Sequence, residues 1–497
     1  MNTRGSRRAR WIALSLVVIA ALVAIVALVV PNALLRSDFI RKQMNKDPDS
    51  GWLEYESAKS RWPGTLRVKN LLYRDRDPGA EWAFQLEDAE LTYSLADLAR
   101  RRFHVTRLSG RGLIFRVRQR LTPAEATPTR LSRLPPIPGF PDPPLVGPVP
   151  PESRATGKEW TILVDSLAIE EVREVWIDGY RCTGRSRVTG GFSLTPKRRA
   201  QVFPSKLAIR DGTIHSGKDE IAADVRATFE ARFDPWDPRA FPGSKVLRFV
   251  FGKAEAAARM DDAEVLNHLI GEPPGTRFER GRGRMTVRAS VEKGIAKGTI
   301  EYGSSDLALR FLDVAMRGRF DGRLDLSGVR METWGGGRLD GGRLNLTNAT
   351  VVDPDGKAHP WWGRVDFDRG EFRPKGAFLF TTGATARARD AQPLLQILDV
   401  DLPEWTKKLL RLDDPLAARA SVRVGESRVE IQRLAARTGK LEIVGEYFAR
   451  GPSRRGTFLI DAGLLSVGVG LSNDDKQVRI FGPRKWFEKR TGWVPGK

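Results

Sequence analysis

One phrase recurs between Gly318 and Phe372. Gly318–Leu326 reads GRFDGRLDL, 337–346 reads GRLDGGRLNL, and 363–372 is the variant GRVDFDRGEF. Apolar and polar residues alternate with a period of two, which builds a β-strand with one apolar and one charged face. The same alternation places Leu113, Phe115, Val117 and Leu121 on one parity with Gln119, against Ile114, Arg116, Arg118 and Arg120. It also sets Met285, Val287, Ala289 and Val291 against Thr286, Arg288, Ser290 and Glu292, and Trp160, Ile162 and Val164 to one side. Asp-Gly pairs at 178–179, 211–212, 321–322, 340–341 and 355–356 supply the positive φ angles of tight hairpins. The phrase recurs after 19 residues (318 to 337) and then after 26 (337 to 363). That spacing is too irregular for a propeller or a leucine-rich horseshoe, so the hairpin is the expected repeating unit. The expected fold is mostly β: an elongated, curled antiparallel sheet forming a hydrophobic groove, with few short helices. Those helices are expected at 95–103, as a crossover, at 253–271, and as amphipathic pieces in 390–414 carrying Leu394, Leu395, Ile397 and Leu398, then Trp405, Leu409, Leu410 and Leu412.

A sheet with one apolar face must cover it. The helices are too few. A second sheet would make a β-sandwich. The third occupant is a ligand: a curled sheet lined by leucine, valine, isoleucine and phenylalanine, filled by acyl chains. Left open to water, such a face costs about 25 cal/mol per Å².

The first residues bear on that choice. Trp11–Val30 is 20 residues without a charge, long enough to span a bilayer core of roughly 30 Å. Arg4, Arg7, Arg8 and Arg10 precede it. The apolar run exceeds that of a cleaved signal, so it is expected to be a retained single-pass anchor with its N-terminus in the cytoplasm and the rest of the chain across the membrane. Asn32–Asn45 reads as a short helix leaving it. The net charge of +22 favours anionic partners, but the arginines are spread along strands rather than clustered with aromatics, which argues against nucleic acid. Residues 121–151 hold 11 of the 31 prolines, and proline excludes them from sheet interiors and helices, so they are expected to form an exposed, extended linker. The C-terminal GPRKWFEKRTGWVPGK sets Arg484 and Lys485 beside Trp486, Phe487 and Trp493; that mixture suits either a solvated tail or one docked on an anionic membrane surface. The expected layout is therefore 1–30 basic tip and anchor, 31–120 N-terminal module, 121–158 proline-rich linker, 159–389 repeating hairpins, 390–414 amphipathic helices, and 415–497 a β segment with the tail.

Bond chemistry finds little support. The single cysteine, Cys182, cannot form an intramolecular disulfide. The four histidines are scattered. Asp261, Asp262, Glu264 and His268 lie close in sequence, but the acids suit a helix start and a metal site needs a further ligand. No phosphate-binding glycine loop and no Gly-x-Ser-x-Gly elbow occurs. The chain is expected to be no enzyme and to hold no cofactor or metal.

The order of features over 62–120 resembles the N-terminus of the AsmA-like proteins: Gly64, Leu66 and Val68 in Gly-x-Leu-x-Val, a polar turn after Leu72, then AELTYSLADLARRRFHVTRLSGRGL and an apolar strand. The later Gly-x-Leu-x-Leu strands are similar to the same superfamily, which includes the TamB-like proteins and, more distantly, the chorein-type lipid-bridge proteins. The resemblance implies an inner-membrane anchor in a two-membrane bacterial envelope, a periplasmic β-groove, and passive movement of phospholipid or another acyl-chain lipid in support of outer-membrane biogenesis, alongside other envelope proteins. The strand positions expected to line the groove are Leu113, Phe115, Val117, Val287, Leu324, Leu326, Leu344 and Leu346. Two rivals stand beside this reading: a dry envelope scaffold built of β-sandwich modules, and an envelope hydrolase acting on anionic glycan through paired carboxylates.

Overall fold

The computed structural model describes residues 41–42, 45, 51–60, 62–76, 78–147, 160–195, 198–270, 276–311, 314–333, 335–352, 356–373, 379–397, 414–425, 428–463, 465–473 and 475–495. The expected anchor at 11–30, most of the helix expected over 32–45, and the stretch 398–413 lie outside them. Among the described residues no helix is long and apolar enough to cross a membrane. The described residues are mostly β, with 23 strands assigned to a mixed sheet. The chain divides into two compact units: Met1–Glu220 with Arg226–Gly252, and Ile221–Val225 with Lys253–Lys497.

The first unit contains β1 (Trp52–Glu54), β2 (Ser57–Lys59), β3 (Thr65–Arg76), β4 (Ala80–Tyr93), β5 (Arg102–Gln119), β6 (Thr161–Ile177), β7 (Tyr180–Thr195), β8 (Arg199–Ser216) and most of β9 (Asp219–Trp236). β1 and β2 pair with β3, and β3–β4, β4–β5, β6–β7 and β7–β8 are antiparallel. β5 and β6 are parallel, so the sheet is mixed rather than the expected antiparallel meander. The helix α1 (Leu95–Leu98), whose Asp97 N–H donates to the Ser94 hydroxyl at 3.3 Å, joins the antiparallel β4 and β5. It is a hairpin connection, not a crossover.

The crossover runs instead through the proline-rich segment, because parallel neighbours need a connection that returns along the strand. Its described part, 121–147, is not an exposed linker. Leu121, Leu134 and Ile137 are buried, α2 (Pro128–Leu131) is capped by the Thr127 hydroxyl, and Leu121 bridges to Leu145. The segment covers part of the basic face of β3–β5. Arg118, 1% exposed, donates to Glu81, also 1% exposed, at 2.9 Å and to the carbonyls of Pro135 (3.1 Å) and Pro141 (3.0 Å), and it contacts the Asp142 carboxylate. The Arg74 guanidinium lies over both Trp52 and Phe140, 5.1 Å from each ring centre. Proline supplies carbonyls without a competing N–H, which suits a strap that accepts from arginine.

Positive-φ residues recur in one line across this unit: Asn70 on β3, Gly112 on β5 beside Glu171 on β6, and Gly184 on β7 facing Asp211 on β8. Such irregularities bend a strand and re-aim its side chains. Val68 and Leu71 consequently belong to one apolar cluster although an unbroken alternation would put them on opposite faces.

His104 ties α1 to β6. Its Nδ1 is 2.8 Å from Asp97 and its Nε2 is 2.6 Å from Asp165. Hydrogen bonds to Asp165 first and Asp97 second raise the imidazole above its ordinary value, and the bond to His104 holds the Asp97 carboxyl below the usual range. A raised histidine contributes its stability fully below the unfolded value, about pH 6.5, and loses it as pH climbs through the raised one. The denaturation midpoint of the full chain should therefore fall as pH rises above about 6.5. His104→Gln should flatten that step, and an unchanged step would show that another group titrates there.

The second unit holds most of β10 (Val250–Met260), then β11 (Thr276–Arg280), β12 (Gly283–Glu292), β13 (Ile295–Phe311), β14 (Val314–Arg330), β15 (Gly337–Val352), β16 (Ala358–Arg373), β17 (Leu379–Ala388), β18 (Leu416–Gly425), β19 (Arg428–Thr438), β20 (Leu441–Arg450), β21 (Ser453–Asp461), β22 (Ser466–Ser472) and β23 (Asp475–Arg479). From β12 onward each strand pairs antiparallel with the next. The helix expected over 253–271 is wrong for its first half: Val250–Met260 is a strand, and only α3 (Val265–Ile270) is helical. Alanine-rich KAEAAARM favours a helix by propensity, but it also alternates, and pairing within a sheet overrides propensity.

The recurring phrase is also longer in structure than expected. Each copy lies within one strand, β14, β15 or β16, of 16 or 17 residues. Of the Asp-Gly pairs, only Asp178-Gly179 makes a tight turn with both residues described. Asp211 is a bulge within β8, Asp340-Gly341 makes a bulge within β15, and Asp321-Gly322 is mid-strand. For Asp211, which contacts Arg185, and for Asp321, an arginine satisfies the carboxylate without a turn. Along β14, Arg319 pairs with Asp321 (3.3 Å) and Arg323 with Asp325 (3.0 Å), while on the neighbouring strands Arg343 and Arg364 each reach Asp366 at 2.7 Å. The Arg364 hydrogen bond, chiefly, holds the Asp366 carboxyl below its usual range.

Among the described residues three helices pack against this unit. Next to α3, Met260, Ala263 and Leu266 are buried with Tyr302, Leu307, Phe320 and Leu346. In α4 (Gln392–Ile397), Leu395 joins Leu441, Ile443 and Phe458 in a second cluster. α5 (Pro483–Thr491) lies on the other face of β20–β22, where Phe487, fully buried, meets Val444 and Leu459.

Candidate functional site

The site is built by cross-strand register. Residues directly opposite one another in an antiparallel pair share a face. Val287 is opposite Ile300, Ile300 opposite Leu324, and Leu324 opposite Gly342. Phe320 is opposite Leu346, and Leu344 is opposite Val365. Val287, Leu324, Leu326, Leu344 and Leu346 are thereby brought to one apolar face of the second unit. Sequence reading missed several of its members: Tyr302, Phe320, Phe367 and Phe380, the last two meeting edge-to-face at 5.2 Å. Phe367 shares the parity of Val365, Phe320 that of Leu324 and Tyr302 that of Ile300, so for these a signal was present; Phe380 is brought to the face by its pairing with Phe372.

Glycines in the phrase set the shape of this face. A Cβ on Gly342 would stand 2.7 Å from Leu324 Cδ2, so that leucine lies flat over the neighbouring strand. At Gly445 a Cβ would stand 2.3 Å from the Phe458 ring. Large side chains bend over neighbouring glycines, and the face is smooth rather than studded.

Coverage differs along the sheet. β20 is buried on both faces, with Ile443, Tyr447 and Ala449 on one side and Val444 on the other. In β12 and β16, by contrast, no residue is buried, and Leu324, Leu326, Leu344, Val365 and Phe367 remain half-buried. A sandwich interior would bury such positions. This contiguous, half-open apolar strip, flanked by clusters that α3 and α4 cover, is the strongest candidate site. The charged face behind it carries the ion pairs described above.

The first unit places Leu113, Phe115 and Val117 on one face of β5. Phe115 is opposite Phe84 and Val117 opposite Trp82; Tyr73, Trp82 and Phe84 form an aromatic group with ring centres 5.4–6.4 Å apart. Leu113 packs against Leu86, Ile169 and Val172. Burial, then Asp75, raises the Tyr73 phenol above its ordinary value.

The tail differs from the membrane-docked expectation. Phe487 is in the protein interior, Trp493 lies 5.8 Å from its ring, and the Trp486 indole covers Gly468 and Gly470. Arg490 stacks on Trp486 at 5.2 Å. Glycines on β22 leave room for the indole, which docks the aromatics on the sheet. Arg484 and Lys485 remain exposed.

The acids considered for a metal are engaged otherwise. Asp261 pairs with Arg259, Glu264 with Arg277 at 2.9 Å, and Asp262 accepts the Glu264 N–H at 2.9 Å. The His268 side chain lies outside the described residues. No group of three metal-ligating side chains occurs among the described residues. No protein-family model matches the chain, and no curated protein matches it.

Proposed function

We propose that this chain is a membrane-anchored lipid-binding protein of AsmA-like type, which carries phospholipid or another acyl-chain lipid along the apolar face of its sheet by passive sliding, without bond chemistry. In this reading residues 11–30 hold it in the inner membrane, the bulk lies in the periplasm, and lipid moves in support of the outer membrane. The observation that carries the proposal is the half-open strip of Val287, Leu324, Leu326, Leu344, Val365 and Phe367. Acyl chains are the occupant such a strip fits: they demand no hydrogen bonds and gain roughly 25 cal/mol per Å² covered.

Site-specific photo-crosslinking tests this. A photoreactive residue at Leu324 or Leu344 in the full chain, irradiated in its native membrane, should yield lipid adducts by mass spectrometry. The same residue at Thr347, on the charged face, should not. Protein-only adducts at Leu324 and Leu344 would favour the scaffold reading and end this one.

A further inference from the structure

β23 is the last strand of the second unit and, among the described residues, is paired in register with β22 only, from Asp475 opposite Ser472 to Arg479 opposite Gly468. No strand among the described residues pairs with its outer edge, and the Gln477 side chain accepts from Arg490 of α5 at 3.3 Å. Val478 is 52% exposed, and Ile480 and Phe481, which follow the strand, are 59% and 95% exposed; Leu465, in the turn between β21 and β22, is 58% exposed. An open strand edge presents unpaired N–H and C=O groups at the spacing of another strand. We propose that two copies of this chain pair through β23, antiparallel, about a two-fold axis at Gln477.

Charge selects the occupant. With Gln477 opposite Gln477 of the second copy, Asp475 falls opposite Arg479, and by symmetry Arg479 opposite Asp475. Lys476 falls opposite Val478, over which its methylene stem can lie. A parallel alignment would instead set Asp475 against Asp475 and Arg479 against Arg479. Like charges directly opposed destabilise a strand pair and opposite charges stabilise it. The five-residue sequence Asp-Lys-Gln-Val-Arg is therefore complementary to itself in one orientation, as an isologous interface requires. This inference is independent of what the apolar strip binds.

The test uses the full chain in detergent with Cys182→Ser, leaving no native thiol. Gln477→Cys in that background should form a disulfide-linked dimer on mild oxidation, since directly opposed strand residues lie within disulfide range. Asp475→Arg or Arg479→Asp added singly should reduce the crosslink to background. The two together in one chain should restore it, and so should mixing the two single variants. A monomer that never crosslinks, or a crosslink indifferent to these reversals, overturns the proposal.

Discussion

Glu81→Ala should cost the first unit about 1.5–3 kcal/mol, because the buried Arg118 guanidinium loses its buried carboxylate partner and keeps only the exposed one of Asp142. Glu81 and Arg118 are each 1% exposed, out of reach of compensating water. The Pro135 and Pro141 carbonyls and Asp142 remain as partners of Arg118, but all of them belong to the strap; the sheet would lose the Glu81 carboxylate that ties it to that arginine. The strap should then loosen with the pair. Limited proteolysis of Glu81→Ala should cut within 121–147 faster than in the native chain, and urea denaturation should show the lowered midpoint. Glu81→Leu with Arg118→Met should cost less than Glu81→Ala alone, since removing both charges leaves none buried and unpaired. Equal costs for single and double variants would mean that the carbonyls, not Glu81, carry the arginine.

The strap shows where sequence reasoning reached its limit. Alternation identified the strand at 113–121 and its basic parity. It could not reveal that Arg118 is buried, because the partners that bury it come from a segment whose prolines suggested an exposed linker. Composition excludes those residues from a ladder; it does not exclude them from packing. The bulges had the same effect on a smaller scale. Asn70 and Glu171 are ordinary residues with φ of 47° and 62°, and each switches the parity of its strand without a glycine to mark the place. The apolar face in the second unit was more legible. Leu324, Leu344 and Leu346 fall together because residues 319–325 pair with 341–347 without a shift, and Leu326 continues the alternation of β14 past the bulge in β15. The Asp-Gly pairs misled for a physical reason: aspartate can satisfy itself on a neighbouring arginine as well as in a turn, and sequence does not choose between these. Phe487 misled similarly, as a basic-aromatic mixture has the same composition whether its rings enter a bilayer or a protein core.

Leu324→Glu together with Leu344→Glu should abolish most lipid retention while leaving the fold intact. Both positions are half-buried, so in the empty protein the new carboxylates can stay hydrated. An acyl chain laid across them must strip that water, and desolvating an unpaired carboxylate costs several kcal/mol. Since 1.4 kcal/mol is tenfold in affinity, co-purified lipid measured by mass spectrometry should fall by roughly tenfold or more. Thr347→Glu serves as the control: its side chain is exposed on the charged face, opposite Arg319, and should leave lipid content unchanged. The double variant also separates the two readings of this face by a measurement unrelated to lipid. If another protein layer covered Leu324 and Leu344, two buried glutamates would lower the denaturation midpoint sharply. If the strip is open, the midpoint should move little. Unchanged stability with unchanged lipid would leave the strip open but unused, and the conduit would have to be abandoned.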